Sequence, residues 1–203
     1  MNIIMGTSLI KELATHDVAN LRQLGNSIGG ACLQEKPYLL PKLKEYGINT
    51  VIDFRNIGES SYRRYCEESG LKYINFPVGH TRNGLCGANA INIKSDVNDK
   101  YIAKLKEFIN AFNDENVYMG CHYGIDRTNL ALTLNYLLNP KAIAPELLTW
   151  GNYRLKSVIN RTLKVARKII KNMSPEQKEQ FNLTEDYNNL FQAKIRSMLK
   201  ANL

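Results

Sequence analysis

Cys121 and Arg127 stand six positions apart, with Gly124 between them and Thr128 directly after the arginine. This spacing suits nucleophilic attack on a phosphoester. A cysteine at the head of a short loop, with a helix N-terminus behind it, sits in the field of the loop's backbone N–H groups, which stabilises a thiolate. Arg127 offers a planar fork that binds two phosphate oxygens at once, which a lysine cannot reproduce. Thr128 carries a hydroxyl that can donate to the sulfur when sulfur becomes the leaving group. Gly124 allows a turn with N–H groups facing inward. Within the loop, His122, Tyr123, Gly124 and Ile125 are the residues placed to meet a substrate, Tyr123 by stacking on a phosphotyrosine ring or by packing beneath the loop. The Cys–Arg spacing alone is a weak signal. Its weight comes from the glycine, the threonine and the strand-to-helix setting together.

That setting is read from the flanks. Val117 to Gly120 is a strand candidate leading into Cys121, and residues 126–138 carry a helical pattern closed by Asn139-Pro140. In an α/β sheet a ligand is expected outside the carboxyl end of such a strand. Upstream, residues 8–24 show a mixed helical pattern that Gly25, Gly29 and Gly30 interrupt, and residues 31–33 form a short strand candidate. Leu39, Leu40, Leu43 and Tyr46 recur at helical spacing up to Gly47. Residues 50–54 read as a buried strand, 60–69 as a polar helix stopped by Gly70, and 73–76 as another strand. Residues 79–90 read as loop. Ser95 or Asp96 is a cap candidate for a helix running to Phe112. Beyond Pro145 the pattern is helical over 146–156, 157–173, 175–181 and 185–200. The alternation predicts a single α/β domain with a twisted sheet of four or five mostly parallel strands flanked by helices. Its core spans about 20–140, and a helical extension covers about 145–203.

Composition agrees with a folded chain. Of 203 residues, 44% are hydrophobic and 23% charged, which excludes wholesale disorder. The net charge of +8 favours anionic partners: phosphoesters, acidic headgroups or nucleic acid. A basic surface serving only solubility gives the same balance. The loop chemistry selects phosphoesters, and nucleic acid is not expected as a partner. The helical stretch 157–173 places Arg161, Lys164, Lys168 and Lys171 along one side, either a solvated face or a contact for an acidic membrane or protein surface. No run reaches the ~20 apolar residues of a membrane span. The first residues do not read as a signal peptide. Cys32, Cys66, Cys86 and Cys121 form no Cys-x-x-Cys pair, so neither a zinc site nor a disulfide framework is expected. These features predict a reducing, cytoplasmic setting. A bacterial protein exported without a leader carries the same features.

The sequence Cys121-x5-Arg127-Thr128 resembles the signature loop of the cysteine-based protein tyrosine and dual-specificity phosphatases. The Asp126-Arg127-Thr128 ending is similar to a subset that includes bacterial tyrosine phosphatases with lipid phosphatase activity and phosphoinositide phosphatases. Residues 47–55, Gly-Ile-Asn-Thr-Val-Ile-Asp-Phe-Arg, look like a strand common in the dual-specificity and bacterial enzymes. Residues 20–25, Asn-Leu-Arg-Gln-Leu-Gly, resemble the entry of the bacterial group. The chain departs from the pattern in two places. Gly120 stands where most of the superfamily has histidine. His122 and Ile125 stand where phosphoinositide phosphatases often carry lysine.

The resemblance implies a phosphomonoester hydrolase working through a cysteinyl-phosphate, with no metal or organic cofactor. Its expected substrates are phosphorylated proteins or, with the same chemistry, phosphoinositides. A phosphate-binding module without turnover is the reading from another class. The general acid is open among Asp126, which matches the position used in the Asp-Arg-Thr subset, Asp96 or Asp99 on a long loop, and His80. Asp126 also fits a purely favourable carboxylate at a helix start. Asp53 and Arg55 fit a structural pair at a strand end. Cys66 or Cys86 are candidates for a protective disulfide with Cys121.

Overall fold

The computed structural model describes residues 2–56, 61–78, 97–139, 142–149, 155–183 and 187–202. Five strands form one sheet: β1 (Arg22–Leu24), β2 (Ser27–Ala31), β3 (Thr50–Asp53), β4 (Lys72–Asn75) and β5 (Val117–Cys121). Their order is β1-β2-β5-β3-β4, with β1 antiparallel to β2 and every other pairing parallel. Among the described residues eight α-helices surround it: α1 (Asn2–Thr15), α2 (Leu40–Glu45), α3 (Ser61–Glu68), α4 (Asp99–Asp114), α5 (Asp126–Leu138), α6 (Leu155–Lys171), α7 (Pro175–Glu179) and α8 (Tyr187–Asn202). This is the α/β architecture expected, with the strand at 117 and the helix at 126 where the sequence put them.

Alternation along the strands separates two apolar layers. Val51 and Tyr118 face a cluster with Leu9, Leu13 and Leu43 from α1 and α2. Ile52, Ile74, Val117 and Met119 face the other side, where Phe108 of α4 and Leu130 and Leu134 of α5 pack. Ile159, Leu163 and Ile169 of α6 and Ile195 and Met198 of α8 belong to that second cluster. The C-terminal helices thus cover the outer face of α5, which is why α5 is buried all round from Arg127 to Leu138.

Four expectations shift. The glycines at 25–30 do not end structure: Gly25-Asn26 turn a β-hairpin, so the strand lies at 27–31 rather than 31–33. Gly30 belongs in β2 because a Cβ there would sit 2.7 Å from the Tyr118 hydroxyl. The helical pattern at 8–24 ends at Thr15, and the chain turns through Asp17 and Asn20 with φ of 54° and 57°. Of the helix expected over 146–156, residues 155–156 belong to the start of α6, and residues 146–149 are not helical. There Leu148 donates to and accepts from the Asn129 side chain, while Leu147 donates to Asn202. These contacts hold residues 142–149 as a strap without regular secondary structure. The N-cap of α4 is Asn98, whose side chain accepts from the Tyr101 amide; Ser95 and Asp96 lie outside the described residues.

Candidate active site

β5 is a central, fully buried strand that ends at Cys121, and α5 starts at Asp126. The four residues between them are too few for anything but a tight turn. Gly124 makes it, at φ +72°. A Cβ at Gly124 would lie 2.4 Å from the Gly30 carbonyl, so both conformation and space demand glycine. Gly120 meets the same strand. A Cβ there would also lie 2.4 Å from the Gly30 oxygen. No side chain fits, which accounts physically for the missing histidine before the cysteine.

Support for the loop comes from elsewhere. The carbonyl of Cys121 accepts from the Cys32 amide at 2.9 Å. The Tyr123 carbonyl accepts from Asn20 Nδ2 at 2.8 Å, and the Gly124 carbonyl from Arg22 Nη1 at 2.9 Å. The Ile125 carbonyl accepts from the Asn129 amide at 2.7 Å. These contacts hold the loop's oxygens from behind, and within the loop the Gly124 amide donates back to the Cys121 carbonyl at 3.3 Å. Arg22 also reaches Asn129 Oδ1 at 3.3 Å. Burial pulls this guanidinium down to about 10, partly offset by the charges of Cys121 and Glu146, so it stays charged at neutral pH.

The expected residues come together. Cys121 is 5% exposed, and the Thr128 hydroxyl donates to its Sγ at 3.5 Å. Arg127, the second residue of α5, is buried. Asp126 is at the first position of α5, where its carboxylate meets Arg161 of α6 at 3.4 Å. Ile125 is buried, so it packs under the loop. His122 and Tyr123 are exposed, their rings edge to face with centroids 4.3 Å apart. Tyr123 is therefore at the mouth and not beneath the loop. Asp99 starts α4 and accepts from Gln177 of α7 at 2.7 Å. His80, Cys86 and Asp96 lie outside the described residues.

Asp53 and Arg55 form the structural pair expected. Arg55 binds both carboxylate oxygens, the nearer contact being 2.7 Å, and its other nitrogen donates to Gln34. Tyr73 also donates to Asp53. Burial pushes the thiols of Cys32 and Cys66 up to about 12, so neither is a ready nucleophile. Among the described residues no group of three or more His, Cys, Asp and Glu side chains is placed to hold a metal ion. None of the described helices is long and apolar enough to cross a membrane.

Reasoning from sequence gave Arg22, Asn20 and Asn129 no mechanical role. The first two were visible only as members of the 20–25 resemblance. What they do depends on contacts more than a hundred positions away.

A cysteine with a hydroxyl on its sulfur and a buried arginine thus stand at the two ends of one short loop, an arrangement suited to attack on a phosphate. Solved structures with similar chains include TpbA of P. aeruginosa in complex with pTyr, at 13% identity and TM-score 0.43, covering 86% of this chain and 90% of that one. A putative phosphatase (DUF442) from Shewanella putrefaciens CN-32 matches at 13% identity and TM-score 0.49, covering 76% and 95%. The core catalytic domain of the PP-IP phosphatase SIW14 from S. cerevisiae, in complex with citrate, matches at 13% and 0.41, covering 90% and 95%. No curated protein matches the chain. The model of the tyrosine phosphatase family matches residues 35–201, a span that holds the whole loop and the helices behind it. The chain belongs to that family and is a phosphatase of the cysteine-based, tyrosine-phosphatase-like kind.

Proposed function

We propose that this phosphatase hydrolyses phosphomonoesters on proteins, phosphotyrosine foremost, through a cysteinyl-phosphate on Cys121. The observation that carries the mechanism is the Thr128 hydroxyl on Cys121 Sγ beside the buried Arg127. In the first step the Cys121 thiolate attacks phosphorus, an S–P bond forms and the bond to the leaving oxygen breaks. Arg127 and the loop amides hold the remaining oxygens. Asp126 supplies the proton to the leaving oxygen. In the second step water attacks phosphorus, Asp126 takes its proton, and the thiolate leaves with the Thr128 hydroxyl donating to it. The exposed Tyr123, edge to face with His122, supports an aromatic phosphoester at the mouth. The shared core of α5, α6 and α8 supports one phosphatase domain spanning the chain.

A second reading, the same chemistry on phosphoinositides at an acidic membrane surface, is favoured by α6. Its exposed side carries Lys156, Arg161, Lys164, Arg167, Lys168 and Lys171, and the helix contains no Asp or Glu. Rates on phosphotyrosine peptides and on soluble phosphoinositides separate the two. A rate on the lipid far above that on the peptide rejects the protein-directed reading. Hydrolysis of a simple aryl phosphate by Cys121→Ser tests the mechanism, and activity that survives rejects it. Asp126→Asn should slow an alkyl phosphate by about 10²–10⁴. An aryl phosphate with a good leaving group should slow far less, and equal losses on both would remove Asp126 from the acid role.

A further inference from the structure

α6 concentrates the charge of the chain. It holds six cations, Lys156, Arg161, Lys164, Arg167, Lys168 and Lys171, and no Asp or Glu, against a net charge of +8 for the whole sequence. All six are exposed, while Ile159, Leu163 and Ile169 on the other side sit in the core. Other helices mix their signs: α3 pairs Arg64 with Glu68, and α4 pairs Lys104 with Glu107. From Arg161 onward the cations of α6 stand three and four positions apart, a spacing at which like charges destabilise a helix. Solubility alone is served by interspersed signs. A one-signed stripe that works against its own helix points to a counter-charge supplied from outside.

The stripe begins beside the catalytic loop. Arg161 Nη2 meets Asp126 Oδ1 at 3.4 Å, and Asp126 directly precedes Arg127. From Arg161, the cations continue to Lys171, about 15 Å along the helix axis. Among the described residues, no ion pair engages Lys164, Lys168 or Lys171. Arg167 differs, with its guanidinium over the Phe191 ring of α8. Apart from the cations, the exposed residues among the described side chains of α6 are Ser157 and Asn160. Nothing apolar is therefore offered to an acyl layer, which helices lying in a membrane interface use. Charges set in line beside the loop match a chain that carries carboxylates at intervals and passes the loop. About four to five residues of extended chain cover 15 Å.

We infer that the exposed face of α6 is a docking track for an acidic segment of the protein substrate, running from Arg161 beside the loop to Lys171. The segment carries Asp or Glu within about seven positions of the phosphotyrosine. This rests on the protein-directed reading proposed above and names the kind of phosphoprotein that the enzyme selects.

The test compares kcat/KM on phosphotyrosine peptides that differ only in their flanks: a run of Glu before the phosphotyrosine, the same run after it, or Gln at all of those positions. At roughly 50 mM salt the better Glu peptide should exceed the Gln peptide about tenfold, through KM, and the gap should close to within about twofold at roughly 0.5 M salt. Lys164→Glu, Lys168→Glu and Lys171→Glu combined should reverse the order and favour a Lys-flanked peptide. Each enzyme is compared only with itself, so a change in its catalytic power cancels. Equal rates on the Glu and Gln peptides, or a Glu preference that survives the charge reversal, overturn the inference and leave the protein-directed reading standing. Hydrolysis of an aryl phosphate without turnover of any peptide rejects that reading and the inference with it. Sedimentation with phosphatidylcholine–phosphatidylserine vesicles separates the remaining partner: vesicle binding that the charge reversal abolishes, with equal rates on the Glu and Gln peptides, gives the face to acidic lipid and overturns the inference.

Discussion

Replacing Arg22 with Met should disable the phosphatase while leaving it folded. Arg22 is 5% exposed and is tied to the loop through the Gly124 carbonyl at 2.9 Å and to α5 through Asn129 at 3.3 Å. Methionine keeps the reach and removes every donor. Asn129 Oδ1 retains the Leu148 amide at 3.3 Å, so the loss falls on the Gly124 carbonyl. A buried acceptor stripped of its partner costs about 1–3 kcal/mol. The loop escapes that cost by turning the carbonyl toward water or toward the phosphate, and either movement changes the course of the backbone between Cys121 and Arg127. Taking about 2 kcal/mol as the lost preorganisation gives roughly a 30-fold fall in kcat/KM. Stability should move much less, because removing a buried guanidinium also removes its desolvation cost. Arg22→Lys restores a charge but not the two-pronged contact, and should fall about tenfold. The assay is kcat/KM on an aryl phosphate beside a melting curve and the affinity for vanadate. If Arg22→Met keeps kcat/KM and vanadate affinity within about twofold of wild type, the loop is not held from behind by Arg22 and the reasoning is wrong.

Four other outcomes follow from the same structure. Gly120→His, which restores the residue usual in the superfamily, should lower Tm and activity together, since even a Cβ meets the Gly30 carbonyl at 2.4 Å. A melting curve checks it. Thr128→Val keeps the shape and removes the donor to Cys121 Sγ, so the second step should slow and stopped-flow should show a burst of released phenol before a slower steady rate. Asn202→Leu strips the Leu147 amide and the Pro145 carbonyl of their partner and should cost about 1–3 kcal/mol in a denaturant titration. Burial pulls Lys194 from 10.5 down to about 8. Between those values the unfolded chain binds more protons, so this residue's contribution makes stability rise with pH from about 8 to 10.5. Denaturation midpoints of wild type and Lys194→Met across that window should diverge with that sign, and parallel curves would contradict it.

The legible parts of this chain are those where local chemistry and tertiary role coincide. Val117–Cys121 and Asp126–Leu138 were readable because a buried strand and a helix are joined by too few residues for any other course. Asp53 and Arg55 were readable as a pair because they are two positions apart. The hairpin at 22–31 was obscure because Gly30 serves contacts with Tyr118, Gly120 and Gly124, far away in sequence. The strap at 142–149 has apolar residues at helical spacing, yet Asn129 and Asn202 claim its backbone groups, and no local pattern announces that. α5 hides its importance differently. Asn129, Thr133 and Asn135 are polar residues that suggest exposure, and all three are buried.

The contact of Gly124 and Gly120 with Gly30 also makes catalysis a reporter of strand alignment. Main chain rests on main chain there, with Gly30 opposite Gly120 in the parallel ladder. A slip of β2 by one residue against β5 would bring Gly29 or Ala31 into that place and turn β2's side chains to the wrong face of the sheet. With Ala31 there, a methyl group would occupy the space the loop needs. A mispaired sheet, however compact, has no phosphate cradle. Turnover therefore counts correctly registered molecules, and comparing it with total folded protein after refolding measures how faithfully this sheet finds its pairing.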